Sequence, residues 1–355
     1  MLPRMQWIGL LLSTACATAA GCTSNPPTSS ETGADTIPVA LPDLGVRTYL
    51  GLEGGLYPGG SNVMPVAHAT RGRERASQIR PLDVEGSASP SGKVVLLSVG
   101  MSNTSQEFCN PPAENPLICR GEQPFMPRAE RDSEVNHHSL VIVNGARGGH
   151  AVDAWDHPSD SIYDRVRDDV LLPQGLSEAQ VQVIWLKQAN RGSSARPSLP
   201  SGDADAYVLV EALGRTIRTL KVRYPNLQHV FLSSRTYGGY AANPRTNSPE
   251  PYAYETGFAV KWLIEAQIRQ VEAGVVDPRA GDLGPAVAPW IAWGPYLWAN
   301  GMEPRSDGLV WRREDFHADG IHPAPAGQGK VATMLLRSFK IAPERRCWFV
   351  AGPVC

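Results

Sequence analysis

Residues 93–104 read KVVLLSVGMSNT, and this stretch decides the fold. Residues 93–99 form a nearly continuous apolar run rich in β-branched side chains. Such a run predicts a strand buried on both faces, the pattern of a parallel sheet. Gly100 and Met101 then lead into Ser102. In an open parallel sheet, ligands and chemistry gather at the carboxyl ends of strands, where Ser102 falls. A helix starting at Ser102 would aim its first N–H groups and its dipole at a developing oxyanion. Taken alone, Ser102 reads more readily as a helix-capping serine.

Working outward, residues 140–143 (LVIV), 181–186 (VQVIWL) and 229–233 (HVFLS) repeat the buried-strand pattern, and a weaker run covers 287–293. Helical spacing lies between them. Residues 161–171 place Ile162, Val166 and Val170 on one face. Residues 204–224 do the same with Leu209, Leu213, Ile217 and Leu220, with Asp203 or Asp205 as the expected cap. Residues 254–273 end at Gly274, and residues 329–339 form a last helix. A shorter helix is expected over 68–79, inside an otherwise irregular N-terminal segment, 41–92. Strands alternating with helices imply an α/β fold with helices on both faces of a parallel sheet. No internal repeat or mid-chain linker divides it, so residues 41–355 read as one domain.

The second chemical element is Asp319-Gly320-Ile321-His322-Pro323. A serine nucleophile needs a base, and the base needs an orienting carboxylate. Asp and His three residues apart can both reach one site from a single loop. Asp319 can then hold one imidazole nitrogen while the other faces Ser102.

With these residues in place, the chain resembles the SGNH hydrolases, also called the GDSL esterase/lipase superfamily, over residues 93–340. The resemblance implies a three-layer α/β/α flavodoxin-like sandwich with a parallel central sheet. It implies Ser102 as nucleophile, although Met101 stands where the family has Asp. It implies a backbone oxyanion donor within 144–150 (NGARGGH), with Gly149 preferred and Gly148 as alternative. A side-chain donor should follow the third strand, where the sequence runs WLKQAN (185–190). Asn190 fits the position although the family's usual Gly is missing, and Gln188 is the substitute. Asp319 and His322 match the last block. The rival α/β-hydrolase reading needs Gly-x-Ser-x-Gly, but Thr104 holds the fifth position, and its acid is usually far from its His. The implied reaction is hydrolysis of a small-molecule or carbohydrate ester through a covalent acyl-serine, with no cofactor and no metal. A non-catalytic glycan-binding lipoprotein of the same fold is the alternative.

The first 21 residues carry one charge, Arg4, and an apolar run over 7–20 ending Ala19-Ala20-Gly21-Cys22. They read as an export signal resembling that of bacterial lipoproteins, with Cys22 as the lipidated residue. Residues 23–40 are rich in Pro, Ser and Thr and read as a tether. The expectation is an exported, lipid-anchored protein of the cell envelope, touching the membrane only through that anchor. Cys109, Cys119, Cys347 and Cys355 then suit an oxidising compartment, and proximity favours Cys109–Cys119 and Cys347–Cys355. With 33 Lys+Arg against 35 Asp+Glu, the charge gives no reason to expect a nucleic-acid partner. The 34 Gly and 31 Pro of the 355 residues predict a loop-rich fold. His137, His138, His150 and His157 match no familiar metal spacing. The loop 233–240 (SSRTYGGY) reads as either substrate-contacting or packed. Trp290, Trp293, Trp298 and Trp311 read as either a sugar platform or core.

Overall fold

The computed structural model describes residues 37–243 and 248–352. The stretch read as an export signal, Cys22 and most of the expected tether lie outside the described residues, as does Cys355. The described residues belong to one compact unit.

Five strands form the central sheet: β1 (Val94–Gly100), β2 (Leu140–Asn144), β3 (Val181–Lys187), β4 (His229–Leu232) and β5 (Trp290–Trp293). Each matches an apolar run, and β1, β3, β4 and β5 are buried at every residue. The order is β2-β1-β3-β4-β5, and every neighbouring pair is parallel. The chain therefore leaves β1 toward one side and returns to β3 on the other. The loops after β1 and β3 diverge, which opens a crevice at their carboxyl ends.

Strand side chains alternate between two cores. Val95, Leu97 and Val99 join Ile184 and Leu186 beneath α5 (Asp205–Arg223) and α6 (Tyr252–Ala273). Leu96, Val183, Trp185 and Phe231 pack on the opposite side. There they meet Phe108 of α2 (Ser102–Phe108), Phe125 of α3 (Phe125–Glu130), Phe339 of α7 (Pro325–Ile341) and Phe349 of α8 (Pro343–Phe349). Burying each such side chain contributes ~1.5–3 kcal/mol, so the two cores carry the three-layer sandwich.

The expected helices shift in detail. The first, α1, spans Val66–Ala76. Residues 161–171 are α-helical only to Arg165, as α4 (Ser161–Arg165), and continue as a wider π turn. The N-cap of α5 is Ala204 with no side-chain cap bond, so neither Asp203 nor Asp205 caps it. Asp205 is instead its first helical residue. Helices α3 and α8 are too short to show a period in sequence. The N-terminal segment packs on α6 and β5: Tyr49 sits 4.9 Å from the Tyr254 ring, and Trp293 Nε1 donates to the Leu56 carbonyl at 2.7 Å. All four late tryptophans are buried core residues, so they form no sugar platform.

Candidate active site

The turn between β1 and α2 depends on Gly100. A Cβ there would meet Thr104 Oγ1 at 2.2 Å and the Lys187 carbonyl at 2.5 Å. Thr104 Oγ1 donates to that same carbonyl at 2.8 Å, which draws α2 against the end of β3. Ser102 is thus the first residue of α2 and makes no capping bond. Its position leaves the early N–H groups of the helix without intrahelical acceptors.

His322 reaches Ser102 from the far end of the chain. Its Nε2 lies 2.7 Å from Ser102 Oγ, and its Nδ1 lies 2.5 Å from Asp319 Oδ2. Asp319 Oδ1 also accepts the backbone N–H groups of Ile321 and His322, each at 2.9 Å. Partial burial pushes the Asp319 carboxyl up. The hydrogen bonds from the His322 ring and the two N–H groups, with the His322 charge, outweigh this and bring it down to about 2. An ionised Asp319 requires the ring proton on Nδ1, which leaves the Nε2 lone pair facing the Ser102 hydroxyl. Gly320 makes the loop possible. Its φ is +73°, and a Cβ would fall 1.7 Å from the Tyr240 carbonyl.

The two sides of this trio are tied directly. Asn103 Nδ2 donates to the Ile321 carbonyl at 2.7 Å, and Arg235 Nη1 donates to Asn103 Oδ1 at 2.9 Å. Asn103 and Arg235 are 3% and 4% exposed, so this bridge forms the buried floor of the site. Beneath α2, Lys187 Nζ bonds both Glu107 carboxylate oxygens at 2.5 and 2.6 Å. Burial pushes the Lys187 ammonium down, to about 8, against the opposing pull of Glu107. Asn103, Glu107 and Lys187 carry no sequence signal of their own. Asn103 adjoins Ser102, and Arg235 lies in the loop after β4 that was read as either substrate-contacting or packed. Within that loop, Tyr237 and Tyr240 pack on each other at 5.0 Å.

A cleft of about 150 Å³ opens beside Ser102, lined by Gly149, Asn190, Arg235 and His322. The Gly149 N–H donates to no group among the described residues. Gly148 sits against Ser102, where a Cβ would come 3.6 Å from the Ser102 Cβ. Asn190 borders the cleft but gives its amide nitrogen elsewhere. Nδ2 donates to the Asp205 carbonyl and to Asp205 Oδ1, both at 3.0 Å. The reason is local: Asp205 opens α5 with a buried carboxyl that requires donors. Asn190 thus presents no third oxyanion donor. Nor does Gln188, whose Nε2 donates to the His150 carbonyl at 3.3 Å.

Among the described residues, no cluster of His, Cys, Asp and Glu has the makings of a metal site. His150 Nδ1 pairs with the Gly148 carbonyl and His157 Nδ1 with Ser159. Cys109 and Cys119 are bridged. The other expected bridge ends at Cys355, outside the described residues.

No protein-family model matches this chain, and no curated protein matches it. Solved structures do match. Axe2, an acetylxylan esterase from Geobacillus stearothermophilus, matches at 15% identity and a TM-score of 0.35, over 70% of this chain and 96% of that one. An extracellular lipase from Streptomyces rimosus matches at 14% identity and a TM-score of 0.36, over 69% and 99%. A Parabacteroides merdae protein described as a GDSL-like lipase matches at 13% and 0.38, over 73% and 97%. At such scores the chemistry is read from this chain's own residues.

Proposed function

We propose that this chain is a serine ester hydrolase of the SGNH type, acting through an acyl-enzyme on acetylated carbohydrate or other short-chain esters. The observation that carries the reading is the unbroken line of hydrogen bonds from Ser102 through His322 to Asp319. A glycan-binding protein has no use for that line, which is why we prefer the enzyme. The Ser102 Oγ attacks the ester carbonyl carbon as its proton passes to His322 Nε2. Asp319 stabilises the imidazolium so formed. The N–H groups of Ser102 and Gly149 receive the developing oxyanion. The tetrahedral species collapses by expelling the alkoxide, which takes the proton from Nε2. Water then gives a proton to Nε2 as its oxygen attacks the acyl-serine, and Ser102 leaves with that proton. With Asn190 held by Asp205, two donors serve the oxyanion in this arrangement. A third joins only if Asn190 exchanges partners, a change worth about 10²–10³ in rate for one donor.

The same proposal places the protein outside the cytoplasm, anchored through Cys22, which accords with the bridged Cys109 and Cys119. The reading is tested by Ser102→Ala. We expect turnover of a 4-nitrophenyl acetate substrate to fall to background while circular dichroism stays native. Full activity in the folded variant overturns it.

A further inference from the structure

We propose that the wide groove between the Cys109–Cys119 loop and residues 165–169 binds a neutral saccharide part of the ester, an inference that rests on the ester-hydrolase reading. Ser102 stands where two clefts meet. The small one, about 150 Å³, holds Gly149 and His322. The second, about 840 Å³, starts at Ser102 and runs past Gly148 and Arg147. Its size falls in the ~300–1,000 Å³ range of small-molecule sites, larger than a short acyl group needs.

Its lining decides the ligand class. Arg120, Arg147 and Arg165 face it together with Glu114, Asp168 and Asp169. Three guanidinium groups face three carboxylates in this lining, with Glu114 paired to Arg120 and Asp168 to Arg167 beside it, so no strong charge of either sign singles out an anion or a cation. A hydrocarbon chain laid there would strip water from charged groups and return no hydrogen bond. A sugar, with a hydroxyl on most carbons, offers donors to the carboxylates and acceptors to the guanidinium forks. The site is also built. Arg165 Nη1 donates to the Gly145 carbonyl at 2.9 Å, which fixes its fork beside the 145–149 loop. The opposite wall begins where α2 ends, at Cys109, and is closed by the bridge to Cys119 and by the Arg120 N–H on the Asn110 carbonyl at 3.2 Å. Pro111, Pro112 and Pro116 stiffen it. The groove wall is therefore continuous with the helix that carries Ser102.

The test uses the exposed loop residue Ala113, which lines the groove. Ala113→Trp narrows it, and the paired change Cys109→Ser with Cys119→Ser loosens its wall. For each variant, kcat/KM is measured on an O-acetylated disaccharide, on 4-nitrophenyl acetate and on 4-nitrophenyl decanoate. We expect the disaccharide-to-aryl-acetate ratio to fall about tenfold in Ala113→Trp, chiefly through KM. A ratio within twofold of the parent protein in a folded Ala113→Trp overturns the proposal. So does a selective loss on the decanoate, which would make the groove an acyl-chain site. Should the parent protein hydrolyse none of the three, the ester-hydrolase reading fails. The groove is then judged by calorimetric titration of the acetylated disaccharide, in which Ala113→Trp must weaken binding about tenfold.

Discussion

At His322, two bonds of different kinds fix one proton. Asp319, held ionised down to about pH 2, keeps that proton on Nδ1. The depressed carboxyl also contributes to folding above the ordinary carboxylate range, a contribution lost as pH falls toward 2. The half-exposed position of Asp319 keeps that contribution small. Asn103 sets the distance that these bonds require, because it spans from the residue after Ser102 to the residue before His322. Asn103→Ala should lower kcat by about 10- to 100-fold with KM changed less than twofold, since misplacement of about 1 Å costs on that order. Steady-state kinetics with the aryl acetate checks the split, and a rise in KM alone contradicts the positioning role. That Ser102, Asp319 and His322 meet was legible in their residue types and chain order. The Asn103–Arg235 bridge was not, because it joins residues 132 positions apart with no local pattern. Asn190 shows the converse: its position suited a donor, but a buried carboxylate fifteen residues on takes its amide.

The helix that carries Ser102 is only seven residues long and cannot hold itself. Phe108 buries one end of it in the core, and Glu107 pairs with Lys187 at the end of β3. Both members of that pair have fully buried side chains. Glu107→Gln leaves a buried ammonium without its counter-charge, and we expect a loss of about 3–5 kcal/mol in urea unfolding. The double change Glu107→Leu with Lys187→Met should be clearly milder, because no charge is stranded. Equal losses would contradict the account. The strands were legible because runs such as 94–99 and 181–186 are short, apolar and rich in β-branched residues. Element ends were less so. The expected α5 cap failed because Asp205 turned inward to Asn190 and Arg196. Helices α3 and α8 were missed because six or seven residues complete too few turns to show a period.

Across the whole molecule, the sheet order 2-1-3-4-5 brings residues from positions 102, 149 and 322 to one crevice. One buried carboxyl works against stability. Burial pushes Glu255 up to about 8, only partly offset by the Leu199 N–H, and nearby Asp205 and Glu250 push the same way. The folded chain thus keeps a proton that the unfolded chain releases from about 4.5 upward. Stability from this group falls as pH rises between those values. Glu255→Gln should therefore narrow the difference in Tm between pH 5 and pH 8, as read by calorimetry; an unchanged difference would exclude Glu255 as its source. The central claim is that Ser102 is a nucleophile activated by His322. Its most direct measurement is the mass-spectrometric mapping of a fluorophosphonate adduct on the intact protein. The account predicts a single adduct on Ser102, lost in His322→Ala. No adduct on folded protein, or an adduct on another residue that persists in Ser102→Ala, would contradict it.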